Sequence, residues 1–494
     1  MQGRNATFRL MNFSRKLHIN RIEKKTQYEL LVIGGGIVGA AVLEMASAKG
    51  IDSILLEKND FSSGASSRST KLLHGGIRYL PQLEFGLVKE SLKEQKILRE
   101  SLGNLYKPLK LLAPIYKNDG FSDLPKIFQA NFIAPLAFKI GLTFYDFLGS
   151  RKKDTRHKNI SKESTFRLFP KLKKHNLSKS FIFQDAQTDD SKLVLTLLRN
   201  ATEVYDATAL NYVEITDISK KNSGYDVTFQ DSISGKINKL EVKKIIAATG
   251  THKLPGHYEN SSSSIKFSGG AHLILKGDPL CINENGVLLP RTEDDRVMFV
   301  LPWFGNTIVG TTDTEHFSGT LDRPYANDED KEYLIRHVKK YFDIEEVEYI
   351  SSWSGVRALI DSKETNSKNI SRGHFFKEID DNFIQISGGK LTGFRIIAKE
   401  SLENFYTFDF KLEKLKFVDE ILELKNKING EDIDLCIKHY SVVKPSDYLL
   451  RRTRISWFSS NGGFESFANL KNHFQDENSY NDTIQELKDE GLID

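Results

Sequence analysis

The stretch that decides the fold is YELLVIGGGIVGAAVLEMASAKGIDSILLEK, from Tyr28 to Lys58. Two continuous apolar runs flank an alanine-rich segment, and a glycine-rich turn separates the first run from that segment. Continuous apolar strands are typical of parallel sheets that are covered on both faces. The pattern therefore predicts a strand, a tight turn, a helix and a second strand, which together form a Rossmann-type α/β unit.

The turn carries Gly34, Gly36 and Gly39 in the G-x-G-x-x-G spacing of dinucleotide-binding proteins. These glycines permit a tight turn, a close approach of the diphosphate and close packing of the helix on the strand. Glu57 ends the second strand, where its carboxylate would accept hydrogen bonds from ribose hydroxyls and repel a 2′-phosphate. The residues predict a site for NAD or FAD, and a glycine turn in an ordinary α/β protein is the alternative.

The segment that follows, DFSSGASSRSTKLLHGGIRYL, helps to distinguish the two cofactors. Its hydroxyl groups, which include Ser66, Ser67 and Thr70, can bond to a diphosphate or a flavin edge, or can simply cap helices in a solvated loop. A nicotinamide enzyme usually passes directly into its next β–α unit, whereas a long polar segment favours a cofactor that lies beneath it. We therefore expect FAD, with Lys71 among its contacts.

The rest of the chain changes pattern twice. Short alternating strands such as GVLLPR and RVMFVLPWFGNTIVGTT are typical of an antiparallel sheet, and a strand, a glycine turn and a helix return in NFIQISGGKLTGFRIIAKESLENF. We predict an FAD-binding domain of residues 28–110, 180–260 and 350–411, interrupted by an antiparallel α+β substrate domain of residues 111–179 and 261–349. Residues 412–494 would form a small helical C-terminal domain.

The last glycine turn is a second candidate cofactor contact. Gly389, Lys390 and Leu391 lie between the strand and the predicted helix. A helix N-terminus stabilises negative charge, such as that of a reduced flavin. The alternative is an ordinary turn in which Lys390 faces water.

Composition excludes several classes of protein. The chain has 70 Lys+Arg against 66 Asp+Glu and a formal charge of +4, which does not indicate a nucleic-acid-binding protein. Cys281 and Cys436 lie far apart and outside any metal-binding motif, which argues against a disulfide scaffold, an iron–sulfur cluster and a zinc site.

Residues 1–27 form a basic leader whose first acidic residue is Glu23. An arginine-rich, amphipathic leader is typical of an organelle presequence, and a disordered basic tail is the alternative. No apolar run is long enough to cross a bilayer. The least polar segment, Ile127 to Gly149, is either a buried amphipathic helix, which we favour, or a helix on a membrane surface.

Five motifs follow one another between about Tyr28 and Leu402: LLVIGGGIVGA, SSRSTKLLHGGIRYL, RVMFVLPWFGNTIVGTTDTE, SWSGVRAL and ISGGKLTGFRIIAKE. A shorter match, SDYLLRRTRISWF, lies near the end. Together they resemble the FAD-dependent, quinone-linked glycerol-3-phosphate dehydrogenases of mitochondria and bacterial membranes. The resemblance implies a D-amino-acid-oxidase-like fold, with Gly250 beside FAD. The chain departs from the family past Phe410, where we expect a C-terminal domain shorter than that of the bacterial enzymes.

The resemblance implies hydride transfer from C2 of sn-glycerol 3-phosphate to flavin N5, which gives dihydroxyacetone phosphate, with ubiquinone as the electron acceptor. The motifs place the family's site residues at His74, Arg78, Tyr79, Arg357, Arg372, Lys390 and Thr392. A peripheral membrane protein is implied, and the leader favours a mitochondrion or an organelle derived from one over the cytoplasm. A homodimer is left open.

The same residues can be assigned roles on physical grounds. A phosphate monoester is nearly dianionic, so its pocket needs more than one cation, although each of Arg78, Arg357, Arg372 and Lys390 alone is more often a surface charge. A neutral imidazole can take the hydroxyl proton, and His74 is the first candidate for this base and His272 the second. A flavin-edge or core role for either histidine stays open, as does polarisation of the oxygen by Arg357.

Two other functions compete with the dehydrogenase. A glycerol-3-phosphate oxidase would have the same fold and pass electrons to oxygen. A flavin-binding structural or regulatory protein would bind the cofactor without turnover, although the retained set of cations argues against it.

Overall fold

The computed structural model describes residues 13–77, 85–117, 133–149, 155–261, 265–360, 373–412, 415, 430–474 and 476–493. The strands are β1 (Gln27–Ile33), β2 (Ser53–Leu56), β3 (Leu72–Leu73), β4 (Lys107–Tyr116), β5 (Lys158–Ile160), β6 (Leu177–Gln187), β7 (Thr208–Leu210), β8 (Val213–Lys221), β9 (Gly224–Asp231), β10 (Ile237–Ala247), β11 (Ile265–Leu275), β12 (Asn285–Leu289), β13 (Met298–Trp303), β14 (Asn306–Gly310), β15 (Ser318–Gly319), β16 (Pro324–Tyr325), β17 (Tyr349–Ile360), β18 (His374–Asp380) and β19 (Phe383–Gly388).

The helices lie between and after these strands. They are α1 (Arg15–Lys24), α2 (Ile37–Ala48), α3 (Phe85–Ser101), α4 (Ile133–Leu148), α5 (Lys162–Leu168), α6 (Asp190–Arg199), α7 (Asp328–Tyr341), α8 (Phe394–Glu403), α9 (Gly430–His439), α10 (Ala468–Lys471) and α11 (Glu477–Asp489). None of the helices in the described ranges is both long and apolar enough to cross a bilayer.

The first sheet contains the predicted dinucleotide unit. Its central strands run in the order β19-β10-β1-β2-β7 and are parallel, with β18 added antiparallel at one edge. Helices α2, α6 and α8 cover one face through a shared apolar core. The meander β8-β9 and the residue Ile22 of α1 belong to the core on the other face. Burial on both faces explains why β1 from position 30 to 33 and β2 from position 54 to 56 are apolar.

The second sheet is mostly antiparallel, as the alternating sequence pattern predicts. Its strands run in the order β17-β11-β14-β13-β12-β4-β6-β3, and only β12 and β4 pair in parallel. β6 and β17 belong to this sheet, although the predicted limits place residues 180–187 and 350–360 with the FAD-binding domain. These strands find their partners far away in sequence, so local pattern does not reveal which sheet they join.

The N-terminal helix α1 packs against the first sheet. Arg15 forms an ion pair of 2.8 Å with Asp231, and His18 and Ile22 are buried. Phe13, just before the helix, is fully buried and stacks on Phe61 with ring centroids 5.5 Å apart. The part of the predicted leader that the structure describes is therefore integrated into the folded domain.

Candidate active site

The glycine turn between β1 and α2 has close contacts that only glycine allows. Gly34 has a φ of 105°, and a Cβ atom at Gly39 would overlap the Gly34 carbonyl oxygen. The amide of Ile37, the first residue of α2, donates to Ser66 Oγ over 2.9 Å. Amide groups at a helix N-terminus attract anions. The turn, the helix end and Ser66 therefore fit a diphosphate at this position.

Glu57 lies half-buried just beyond β2 and faces the same turn. Its Oε2 accepts the Gly35 amide over 2.6 Å, and its Oε1 accepts the Asn59 amide over 2.8 Å. Desolvation outweighs these bonds and raises the pKa of the carboxyl group above its ordinary value. A carboxylate has about four acceptor positions. Ribose hydroxyls can donate to those that the amides do not use, so Glu57 fits the predicted ribose contact.

Glycine turns follow three adjacent parallel strands, β19, β10 and β1, at one edge of the first sheet. Gly250 and Gly389 both have positive φ, 59° and 100°. A Cβ atom at Gly34 would lie 2.5 Å from the Ala248 carbonyl oxygen, so the turn after β1 touches the end of β10. Ligands of open α/β sheets bind at the carboxyl ends of the strands. The fold thus brings together predicted cofactor residues that lie hundreds of positions apart in sequence.

The turn after β19 continues into a 3₁₀ turn, Leu391–Gly393, and then into α8. Lys390 is half-buried, and its Nζ would lie 3.8 Å from a Cβ atom at Gly373. Thr392 is buried, and its hydroxyl donates to the His74 carbonyl oxygen over 3.2 Å. This bond joins two of the predicted motifs, HGG and GGKLT, which are far apart in the chain.

The segment Ser66–Lys71 connects the two sheets. Ser66 contacts α2, whereas Thr70 Oγ1 lies 3.0 Å from Nε2 of His272 on β11. The buried Lys71 donates from Nζ to the Ser67 carbonyl over 2.6 Å and to both carboxylate oxygens of Asp190 over 2.8 Å. Desolvation lowers the pKa of Lys71 to about 8. Because its amine is held by these protein groups, a direct contact of Lys71 with the cofactor stays a prediction.

Arg357 lies on β17 and extends over the neighbouring strand β11. Its Nη1 donates to Asp313 Oδ1 over 3.0 Å and to the Gly269 carbonyl over 3.1 Å. Its Nη2 donates to Thr311 Oγ1 over 3.0 Å and stands where a Cβ atom at Gly270 would be. The side chain is 37% exposed. An anion can therefore reach a guanidinium whose orientation is already fixed by hydrogen bonds.

His272 lies opposite Trp353 in the pairing of β11 with β17. The two rings stack with centroids 5.1 Å apart and an interplanar angle of 26°. Desolvation, followed by the charges of Arg357 and Lys71, holds the pKa of His272 well below its ordinary value. Its imidazole is therefore neutral at physiological pH. Within the described part of the chain, Nδ1 has no hydrogen-bond partner.

Arg78, Tyr79 and Arg372 lie outside the described residues, so their roles stay predictions. Asp313 and Trp353, the partners of Arg357 and His272, were not among the residues predicted from the sequence. Asp313 follows β14 in the motif GTTDTE. A half-buried arginine needs a counter-ion, and that requirement is the signal by which this acidic residue could have been found. Trp353 gave no comparable signal.

Comparison with known families identifies one match that spans most of the chain. The model of the FAD dependent oxidoreductase family matches residues 29–395. The aerobic glycerol-3-phosphate dehydrogenase of Staphylococcus epidermidis is 32% identical over 427 residues, which cover 84% of this chain and 73% of the relative. The enzyme of the same name from Staphylococcus aureus is 31% identical over 402 residues, which cover 80% of this chain and 69% of the relative.

Solved structures support the same fold. The glycerol-3-phosphate dehydrogenase from Bacillus halodurans, complexed with FAD, superposes with a TM-score of 0.73 at 22% identity and covers 97% of this chain and 98% of that chain. The L-alpha-glycerophosphate oxidase from Mycoplasma pneumoniae, with FAD bound, superposes with a TM-score of 0.58 at 16% identity and covers 80% of this chain and 96% of that chain. The predicted fold class is confirmed.

Proposed function

Because this chain belongs to the family of FAD-dependent oxidoreductases, we propose that it oxidises sn-glycerol 3-phosphate to dihydroxyacetone phosphate. The observation that carries the proposal is the 32% identity, over 84% of the chain, to an aerobic glycerol-3-phosphate dehydrogenase. The glycine turns and Glu57 fit the FAD on which the family depends. The bound flavin would supply the hydride acceptor.

The arrangement around Arg357 supports recognition of the phosphate group. A nearly dianionic ligand needs more than one cation, and arginine can bind it through two donors. We propose that Arg357 and Lys390 bind the substrate, with Arg78, Tyr79 and Arg372 completing the pocket. Lys390 lies beside Gly373, which directly follows Arg372 in the chain. A joint role of Lys390 and Arg372 is part of this proposal. Thr392 would contribute by holding the backbone of His74.

His74 remains the preferred base for the hydroxyl proton. A general base works best when its pKa lies near the working pH. The pKa of His272 lies far below that range because its ring is desolvated and faces two positive charges. His74 is half-buried, and its backbone is joined to Thr392 in the GGKLT turn. We therefore assign proton removal to His74 and a packing or hydrogen-bonding role to His272.

We further propose that the electrons pass to a quinone in a membrane. One surface of α4 supports this proposal: Leu136, Ile140 and Phe147 are 60%, 61% and 76% exposed. These residues recur at helical spacing and form an apolar stripe, which we call the α4 stripe. An amphipathic helix with such a stripe suits the surface of a bilayer. A mitochondrion or related organelle is the proposed location, based on the basic composition of the leader, although residues 13–27 of it pack in the folded domain, and the cytoplasm is the alternative.

The test of the function is anaerobic reduction of the purified protein. Addition of glycerol 3-phosphate should bleach the visible absorption of the bound flavin, whereas glycerol at the same concentration should not. A yellow protein that does not bleach would contradict the proposed substrate. In air, hydrogen peroxide formed in proportion to substrate consumed would instead favour the oxidase, and reduction of a quinone analogue would favour the dehydrogenase.

A further inference from the structure

Two residues of the C-terminal region hold the segment that follows the second strand of the dinucleotide unit. Arg454 donates from Nη1 to the Ser67 carbonyl oxygen over 3.1 Å. Glu490 accepts two hydrogen bonds from the Arg68 guanidinium, over 2.6 Å and 3.0 Å. The side chains of Arg68 and Glu490 are only 3% and 1% exposed. Removing one partner of such a buried ion pair leaves the other charge buried and unpaired, which is strongly destabilising.

Asp190, at the start of α6, is the centre of this arrangement. It is fully buried and accepts the Ser69 amide over 3.1 Å and the Ser69 hydroxyl over 2.7 Å. It also accepts both Lys71 Nζ over 2.8 Å and Arg454 Nη2 over 2.5 Å. The Asp190 carboxylate therefore holds the backbone amide and the hydroxyl of Ser69 and the amine of Lys71. Arg454 in turn holds this carboxylate.

Arg454 has a strained backbone conformation and a buried charge, both of which cost free energy of folding. Its φ is 67°, a left-handed backbone that non-glycine residues seldom adopt, and its side chain is only 2% exposed. A buried guanidinium is tolerated only when it is paired, and Arg454 meets this need through Asp189 at 3.0 Å and Asp190. Such a strained conformation persists only where the surrounding contacts determine it, and here those contacts are the two carboxylates and the Ser67 carbonyl.

The segment held in this way carries residues that face the predicted cofactor and substrate sites. Ser66 accepts from the N-terminus of α2, where the diphosphate is expected, and Thr70 contacts His272. We infer that Arg454 is a positioning residue for FAD, which fixes Ser66 and Thr70 through the Ser67 carbonyl and Asp190. The inference rests on the FAD dependence of the family and is independent of the proposed substrate.

The test measures retention of flavin in the purified holoenzyme without any substrate. Arg454→Met and Arg454→Lys are compared with Arg15→Lys, a matched control. Arg15 is likewise a largely buried arginine that binds a carboxylate and a backbone carbonyl, but it ties α1 to the first sheet. Flavin fluorescence after dilution gives the dissociation rate, at a temperature at which circular dichroism shows every variant to be folded.

We expect Arg454→Met to release flavin at least tenfold faster than the parent protein. Arg454→Lys keeps the charge but not both donor groups, so its rate of flavin release should lie between those of Arg454→Met and the parent protein. The rate for Arg15→Lys should stay within twofold of the parent even if its Tm falls as far as that of the Arg454 variants. The visible spectrum of the flavin that remains bound should also shift in the Arg454 variants alone. A purely structural role would lower Tm without either change.

A second variant keeps the inference testable if Arg454→Met does not fold. Glu490→Gln weakens the other tie to the same segment, at Arg68, and should accelerate flavin release at least threefold. Release rates within twofold of the parent in both Arg454→Lys and Glu490→Gln would overturn the inference. Because glycerol 3-phosphate is absent, that result would leave the proposed function unaffected, and failure to oxidise the substrate would leave this inference unaffected.

Discussion

The guanidinium of Arg357 occupies the space that a side chain at Gly270 would need. The obstructing atoms are the far end of the flexible Arg357 side chain and Thr311 Oγ1, which would lie 2.8 Å from the new Cβ atom, so Gly270→Ala should displace Arg357 and the Thr311 hydroxyl without unfolding the protein. Loss of a hydrogen bond to a charged group costs about 1.5–3 kcal/mol. We therefore expect KM for glycerol 3-phosphate to rise at least about tenfold, with flavin content unchanged. Gly86→Ala, where nothing lies within 4 Å, is the control, and an unaltered KM in Gly270→Ala would refute the role of Arg357.

Gly39→Ala should weaken the binding of FAD by disturbing the glycine turn between β1 and α2. The new Cβ atom would overlap the Gly34 carbonyl oxygen, which belongs to the backbone and cannot rotate away. Helix α2 must shift from β1, at a cost of about 1–3 kcal/mol for overpacking. We expect the flavin absorbance per polypeptide to fall severely. Gly64→Ala, which has open space and a φ of −80°, should keep its flavin. Retention of FAD by Gly39→Ala would argue against a diphosphate at this turn.

The two candidate bases can be separated by rapid anaerobic mixing with substrate. A general base typically contributes about 10²- to 10⁴-fold in rate. His74→Asn should slow flavin reduction by such a factor. His272→Asn should slow it less, since the depressed pKa of His272 makes it a weak proton acceptor. The reverse order of the two rates would assign the base to His272.

His18 should make the protein sensitive to acid. Desolvation, together with the charge of Arg21, lowers the pKa of His18 from 6.5 to about 3. Between these values the unfolded chain binds a proton that the folded chain does not, so the free energy of unfolding falls as pH drops below 6.5. The loss is about 1.4 kcal/mol for each pH unit below the ordinary pKa of 6.5, so it reaches about 2 kcal/mol at pH 5. His18→Leu, which has no imidazole, should avoid this loss in its free energy of unfolding.

Urea titrations at pH 7 and pH 5 measure this difference for His18. His175→Leu, at an exposed histidine, serves as the comparison and should lose as much stability as the parent protein. Equal losses for His18→Leu and the parent protein would show that another group governs the response to acid.

The α4 stripe should mediate binding to anionic phospholipid vesicles. The triple replacement of Leu136, Ile140 and Phe147 by serine removes the exposed apolar surface and should abolish co-sedimentation. Activity with a soluble dye acceptor should persist, because the replaced side chains are not in the site. Ile237→Ser alters another exposed apolar residue, which is 64% exposed, and should bind vesicles normally. Sedimentation of the triple variant with vesicles would exclude this surface.

The sequence predicted best those structural elements that are determined by residues close together in the chain. The turn of Gly34, Gly36 and Gly39 lies between β1 and α2 as expected, because its glycines and flanking apolar runs are local signals. The path of β17 was not predictable in the same way. Its pairing with β11 joins residues more than 70 positions apart, and the local sequence of β17 does not specify that partner.

The ion pairs that hold the segment beside the candidate site were not predictable from local sequence either. The arginines of the SDYLLRRTRISWF motif have the composition of a basic surface patch, yet Arg452 and Arg454 are almost fully buried. Their carboxylate partners, Asp60 for Arg452 and Asp190 for Arg454, come from distant parts of the chain. Charge pattern alone does not reveal such pairing, because burial of an ion pair depends on the tertiary fold.

The bond between Arg454 and the Ser67 carbonyl spans 387 positions of the chain. The chain is synthesised from its N-terminus, so the glycine turn leaves the ribosome long before Arg454 has been translated. Domains begin to fold in the same order as they emerge. The nucleotide-binding half therefore cannot acquire this contact until Arg454 has been translated. Premature termination anywhere between Gly389 and Arg454 would leave a polypeptide with all its glycine motifs but without the contact that holds the Ser67 carbonyl.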